Sequence, residues 1–246
     1  MPTPTLKGQH VVVVGGSAGI GLAVAEAALE DGARVTVVSS QAGNVEAAVS
    51  ALGAAAGQGQ VAGAVLDVRD EVACAALFER LGALDHLVFT AGDWGAFMAP
   101  RPLAETDLDA LAAALGVRFW GALRVIKHAA PHIPEGGSIT LTDGVLAHRP
   151  NKGGAITSAF AGALEHLARG LAVDLAPVRV NAVCPGLTLT ERWANPRPEL
   201  LAQLAQRQLI PRGAQPHEVA QAYLYLMRGT YTTGQVMVVD GGRLLT

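Results

Sequence analysis

The 246-residue chain is poor in several residue types, and each shortage narrows what it can do. There are two cysteines, Cys74 and Cys184, too far apart in sequence to suggest a redox pair or a thiolate metal site. They read as reduced structural thiols of a cytoplasmic protein. Charged residues make up only 16% of the chain and the net charge is −3, with no run of Lys or Arg, so nothing would draw a phosphate backbone and no nucleic-acid partner is expected. No apolar run approaches the roughly 20 residues of a membrane helix, and the opening MPTPTLKGQH has no apolar signal core. No membrane contact and no metal site are expected. Tyrosine is scarce too: Tyr223, Tyr225 and Tyr231 all fall in a late predicted helix and the turn after it. The expectation for them is packing or subunit contact, away from the carboxyl ends of the central strands.

What is abundant is apolar: half of the residues are hydrophobic, enough for a core on both faces of a sheet. Val-rich runs at 10–15, 33–39, 63–68, 86–92, 137–143, 178–183 and 235–240 read as strands. Most are continuously apolar, the pattern of parallel strands covered on both sides. Between them, 19–31, 44–52, 70–81, 106–130, 157–175 and 217–227 read as helices. Strand–helix alternation predicts right-handed crossovers and a doubly wound α/β parallel sheet of about seven strands with helices on both faces. One domain spans 1–246, and the Pro- and Arg-interrupted stretch 191–216 is the candidate lid over a ligand.

The sharpest local feature is VVVVGGSAGIG at 11–21, with Gly15, Gly19 and Gly21 between the first strand and first helix. Such a turn lets backbone approach a pyrophosphate at a helix N-terminus. A tight strand-to-helix turn alone would use glycines as well, but this one opens a series of parallel strands.

These residues, with others further on, resemble the short-chain dehydrogenase/reductase family. Its T-G-x-x-x-G-x-G motif is matched by Val14-Gly15-Gly16-Ser17-Ala18-Gly19-Ile20-Gly21 except at Val14. Asp67-Val68 resembles the family's adenine-contacting pair, and Thr90-Ala91-Gly92 the end of N-N-A-G. RVNAVCPGLTLT at 179–190 resembles the segment that meets the nicotinamide, which brings in Pro185, Gly186, Thr188 and Thr190. IPRGAQPHEVA and TTGQVMVVDGG resemble C-terminal segments of the family, so the likeness runs in order along nearly the whole chain. It implies a Rossmann-like fold, a nicotinamide cofactor, a carbonyl or alcohol as small-molecule substrate, and a homodimer or homotetramer. Cofactor choice turns on the end of the second strand. There Ser39, Ser40 and Gln41 replace the acidic residue that would select NAD. This points to NADP ahead of NAD, although no Arg or Lys stands in that stretch or in the glycine loop to grip the extra phosphate.

The family's chemistry is missing from its usual places. Hydride transfer to a carbonyl leaves an alkoxide that needs a proton. Alignment puts the family's acid/base Tyr and its Lys on Thr157 and Ala161, its Ser on Gly144 beside Asp143, and its Asn on Arg118. The candidates to replace them are Arg118, Asp143 and Thr157. Arg118 could bind an anionic substrate or pair with a carboxylate, and Asp143 could shuttle a proton; a surface salt bridge or a solvated strand end is the plain alternative. Loop residues His148 and Lys152 could reach the rim or simply be solvated. Trp94, Phe97, Met98, Trp120, Phe160 and Trp193 could line an apolar pocket or belong to core or interface. In the helix carrying Thr157, the small residues Ala155, Ala159, Gly162 and Ala163 suit close packing, on the chain's own sheet or on a second subunit. Two readings stay open: an oxidoreductase with an atypical active site, and a nucleotide-binding pseudoenzyme with a regulatory or binding role.

Overall fold

Strand β1 (His10–Val14) is buried along its whole length, and its valines divide between two cores. Val12 and Val14 enter one hydrophobic cluster, Val11 and Val13 the other. Successive side chains of a strand point to opposite faces, so a run apolar at every position is what two covered faces require. In the computed structural model, which describes residues 5–55, 60–92, 101–191 and 198–246, this logic extends across the central strands, while the two outermost, Gln60–Val65 and Val236–Val239, are more exposed.

The chain continues through α1 (Gly19–Glu30), β2 (Arg34–Ser39), α2 (Ala42–Ala55), β3 (Gln60–Val65), α3 (Glu71–Leu81) and β4 (His86–Phe89). It then runs through α4 (Leu108–Leu115), α5 (Ala122–Ala129), β5 (Ser138–Thr142), α6 (Ala155–Asp174) and β6 (Arg179–Pro185). It ends with α7 (Pro198–Ala205), α8 (Pro216–Arg228) and β7 (Val236–Val239). All seven strands are parallel, in the order β3-β2-β1-β4-β5-β6-β7. The progression reverses between β1 and β4, and in such sheets that switch point opens a crevice at the carboxyl ends of the strands. One face is covered by α3, α5 and α6 through Phe78, Ile126 and Leu164, the other by α1, α2 and α8 through Val24, Leu52 and Tyr223. The predicted doubly wound sheet is therefore the observed one. Cys74 and Cys184 are buried free thiols. No helix among the described residues is long and apolar enough to cross a membrane.

Two elements differ from the sequence-based expectation. The helix expected over 106–130 is interrupted by a π-helical turn, Gly116–Gly121, which carries Arg118 between α4 and α5. Glycine at both ends permits the wider turn, and at 121 it is required by packing: a Cβ there would lie 2.5 Å from Val68 Cγ2. π-turns inside helices are uncommon and often mark functional sites. The third strand also lies earlier than expected, at Gln60–Val65, which leaves Asp67 and Val68 in the turn beyond it. The small side chains of this strand let Val45 and Val49 of α2 close onto Gly63. Of the expected lid, the described part holds α7 and the turns after it; Trp193 lies outside the described residues, as do Trp94, Phe97 and Met98.

Candidate functional site

The first turn of α1 has no capping side chain and no acidic residue. Its free N–H groups open onto a cavity of about 790 Å3 at the carboxyl ends of the strands. A bare helix N-terminus facing a cavity is suited to a phosphate anion. The glycines before it are there for geometry. Gly15 has φ +87°, and a Cβ on it would sit 2.5 Å from the backbone nitrogen of Ala91. At Gly21 a Cβ would overlap the carbonyl oxygen of Gly15. Thr90 holds the same turn from the neighbouring strand, its hydroxyl donating to the carbonyls of Val14 (3.2 Å) and Gly15 (3.1 Å).

Most of the expected cofactor residues come together on this wall. Gly15, Ala18, Gly19, Ile20 and Gly21 line it from the glycine turn, and Ser39 and Ser40 from the end of β2. Asp67 and Val68 line it beyond β3, and Thr90, Ala91 and Gly92 beyond β4. Pro185, Gly186, Thr188 and Thr190 complete it after β6. Ser17 and Gln41 are not on the wall; the Gln41 carbonyl accepts from the amides of Asn44 and Val45 at the start of α2. Volume, glycine turn and uncapped helix together fit a dinucleotide. The part of the expected lid that the structure describes contributes Glu191, Leu204, Arg207 and Gln208.

One cofactor-end residue escaped the sequence reading. Arg69, two positions past Asp67, lines the cavity on the side of Ser39 and Ser40. It donates two hydrogen bonds from Nε to the Asp67 carboxylate (3.0 and 3.1 Å) and one from Nη2 (2.7 Å). Bonding to Arg69 holds the Asp67 carboxyl below the usual carboxylate range. The β2 stretch lacks a cation, and one stands instead in the turn after β3, paired with Asp67. Its only signal in the sequence was its place beside Asp67-Val68.

At the opposite end of the cavity stands Asp143, directly after β5. Its backbone is fixed on both sides: its amide donates to the Val183 carbonyl (3.0 Å), and its carbonyl accepts from Arg118 Nη2 (2.7 Å). Arg118 therefore meets Asp143 through the main chain, not through a carboxylate fork, and it does not itself line the cavity. The Asp143 side chain is treated differently. The residue is 1% exposed, no N–H group or hydroxyl donates to its carboxylate oxygens, and the groups that meet them are the Glu165 carboxyl and the Cys184 thiol. Burial first, and then the neighbouring Glu165 carboxyl, push Asp143 up to about 8. Arg118 and Cys184 oppose that rise without cancelling it.

Glu165, on the inner face of α6, is 4% exposed and was not singled out from the sequence. Its Oε1 lies 2.6 Å from His148 Nε2, so His148 is not merely a solvated loop residue. Asp143, His148, Glu165 and Cys184 each offer a polar atom, and these atoms all lie within 4.8 Å of one another. A divalent cation needs deprotonated ligands. Without a cation, burial pushes the Cys184 thiol far up and raises Asp143 to about 8, so a cation would have to displace protons from both.

The remaining expectations sort plainly. Thr157 is in the first turn of α6, half-buried and off the cavity wall, and Trp120 is 54% exposed. Tyr223 corrects its expectation in part. It is fully buried as a packing residue, yet its hydroxyl reaches the carboxyl end of β5, 2.7 Å from Thr142 Oγ1. Burial pushes its phenol up, which makes it a poor proton donor. The small-residue face of α6 is open within the single chain, with nothing within 4 Å of where a Cβ on Gly162 would be.

Comparison with known proteins bears on this geometry. A family model described as Enoyl-(Acyl carrier protein) reductase matches residues 14–243. The chain is 36% identical over 255 residues to the short-chain dehydrogenase/reductase ATR9 of Stachybotrys chlorohalonatus, covering 98% of this chain and 99% of that protein. Its structure is similar to that of the MalC reductase/Diels-Alderase from Malbranchea aurantiaca, with TM-score 0.89, 32% identity and 98% of each chain covered. It is also similar to L-sorbose reductase from Gluconobacter frateurii complexed with NADPH and L-sorbose, with TM-score 0.90 and 26% identity over the full length of both chains. With sheet order, glycine turn and relatives of matching length in agreement, this chain belongs to the short-chain dehydrogenase/reductase family.

Proposed function

We propose that the protein is an NADP(H)-dependent reductase of a carbonyl substrate, able to run in the alcohol direction as well, with an acid other than tyrosine. The observation that carries this reading is the buried Asp143 carboxyl on the cavity wall, beside a second buried carboxyl and held protonated up to about pH 8. When bound, the reduced nicotinamide supplies a hydride. The rest is the work of the chain. The uncapped start of α1 takes the pyrophosphate, and Ser39, Ser40 and Arg69 favour the 2′-phosphate through uncharged donors and one cation. Asp143 donates its proton to the substrate oxygen, and Arg118 fixes the backbone that carries it. Thr157 takes no part. The small-residue face of α6 suits assembly into a homodimer or homotetramer.

A nucleotide-binding protein without turnover fits this site less well. Two carboxyls buried side by side destabilise a fold, and perturbed acids of this kind cluster where chemistry needs them. The relatives whose names include reductase support the same direction. The test has two parts. Protein fluorescence should show tighter binding of NADPH than NADH; equal or absent binding removes the cofactor assignment. A panel of ketones and aldehydes should then consume the reduced cofactor, with turnover lost in Asp143→Ala and in Arg118→Ala. Full activity in both variants would overturn the assignment of the acid.

A further inference from the structure

Asp143 is one member of a chain of contacts that leaves the cavity on its far side. From the cavity wall it passes to Glu165 on α6 and then to His148 in the loop after β5. Three observations set this chain apart from an ordinary buried cluster. Both Asp143 oxygens are sealed from solvent with the Glu165 carboxyl and the Cys184 thiol as their hydrogen-bonding neighbours, while the Asp143 main chain is held at N–H and C=O. Glu165 is equally buried, on a helix whose neighbouring inward positions, Ala161, Leu164 and Ala168, are apolar. His148 is the only one of the three with an open side, its side chain 37% exposed against 5% for Glu165. The arrangement is dry at one end and wet at the other.

We propose that His148, Glu165 and Asp143 form a proton relay that carries a proton from solvent to the substrate side of the cavity. This rests on the reductase reading for its last step, though not for its first two. In that last step the Asp143 O–H bond breaks and an O–H bond forms on the substrate oxygen, while the carbonyl carbon receives hydride from the reduced nicotinamide dinucleotide. Rotation of the Asp143 side chain about its own bonds moves an oxygen from the cluster to the cavity. His148, as imidazolium, then gives its Nε2 proton to the Glu165 carboxylate, which passes a proton on to the Asp143 carboxylate. The imidazole regains a proton from water, so the sum is one carbonyl, one hydride and one solvent proton giving one alcohol.

The charged and titratable neighbours suit this direction of flow. Facing Asp143 are Arg118 from the π-turn, Cys184 from β6 and Tyr223 from α8, as well as Glu165. Arg169, one turn further along α6, places Nη2 3.8 Å from Glu165 Oε2. Cys184 and Tyr223 are held neutral by burial, which leaves the two carboxyls and the histidine as the path. The Glu165 carboxyl beside Asp143 raises the proton affinity of Asp143 further than burial alone does.

The test uses the purified full chain and does not need the substrate. Infrared spectroscopy should find the C=O stretch of a protonated carboxyl at pH 7 that is absent in Asp143→Asn. On transfer to D2O, that band should shift promptly in the wild type and at least tenfold more slowly in His148→Gln. In Glu165→Gln the Asp143 band should titrate at lower pH, because the like-charged neighbour is gone. Thermal melts and NADPH binding check that each variant is folded; if Glu165→Gln is not, the half-exposed His148→Gln still decides. The relay is overturned by absence of the band at pH 7, by equal exchange in wild type and His148→Gln, or by stoichiometric divalent metal in the purified protein. Any of these would leave the NADPH and carbonyl assays untouched, so failure of the relay is distinguishable from failure of the reductase reading.

Discussion

Both ends of the sheet bury polar side chains, and they treat them in opposite ways. At the amino end, His10 pairs through Nε2 with Thr36 Oγ1 (2.9 Å) and through Nδ1 with the Ala83 carbonyl (3.1 Å). His86 pairs with Ser138 Oγ (2.9 Å) and Gln9 Oε1 (3.2 Å). Burial lowers both histidines, His86 to about 4, so at neutral pH they are uncharged and fully partnered. At the carboxyl end, Asp143 and Glu165 are equally hidden, yet they face each other, like beside like, and Asp143 is raised to about 8. A buried network of matched donors and acceptors fixes a structure. A buried pair of acids costs stability instead, and this one lies on the cavity side.

Substitutions at the two ends should therefore separate stability from chemistry. The largest effect is expected for Asp143→Asn, which keeps the shape but removes the acid. Turnover should fall by roughly 10²–10⁴-fold, the usual contribution of a positioned proton donor, with NADPH affinity unchanged. Carbonyl reduction followed by cofactor absorbance checks it. Next comes His86→Ala at the amino end, which opens a cavity and strands Ser138. It should lower unfolding free energy by about 2–4 kcal/mol in denaturant titrations, while the folded fraction keeps its NADPH affinity. Loss of cofactor binding there would erase the division between the two ends.

A third prediction concerns pH. The folded-state value of Asp143, about 8, lies above its ordinary 3.8, so between those limits the folded chain holds a proton that the unfolded chain releases. Stability should then decline as pH rises from about 4 to about 8, by at most roughly 1.4 kcal/mol per unit from this group. Melting across that range should show the decline in the wild type and a flatter profile in Asp143→Asn. The smallest effect is expected at the adenine end. Arg69→Ala should weaken NADPH binding about tenfold and leave NADH binding nearly unchanged, by fluorescence titration.

The glycine turn was legible because its demands are local: Gly15 and Gly21 are needed by backbone a few residues away. The strands were legible because each apolar run declares two covered faces. The break in the helix over 106–130 was not, since a π-turn depends on Gly121 packing against Val68, more than fifty positions earlier. Arg69 was missed because it reaches the cavity only once the turn after β3 is placed next to the end of β2. Glu165 looked like any polar residue on an amphipathic helix, and only the packing of α6 reveals that it faces inward.

By itself, the sequence determined the alternation of strands and helices, the phosphate turn, and the absence of the family's tyrosine and lysine. Each is carried by neighbouring residues or by periodicity. Tertiary structure alone decided which polar groups gather beside the cavity. Asp143, His148, Glu165 and Cys184 come from β5, the following loop, α6 and β6, and no spacing in the chain announces that they meet. The physical reason is that a carboxyl acquires an unusual proton affinity through desolvation and a like-charged neighbour. Both exist only after the helices have closed over the sheet.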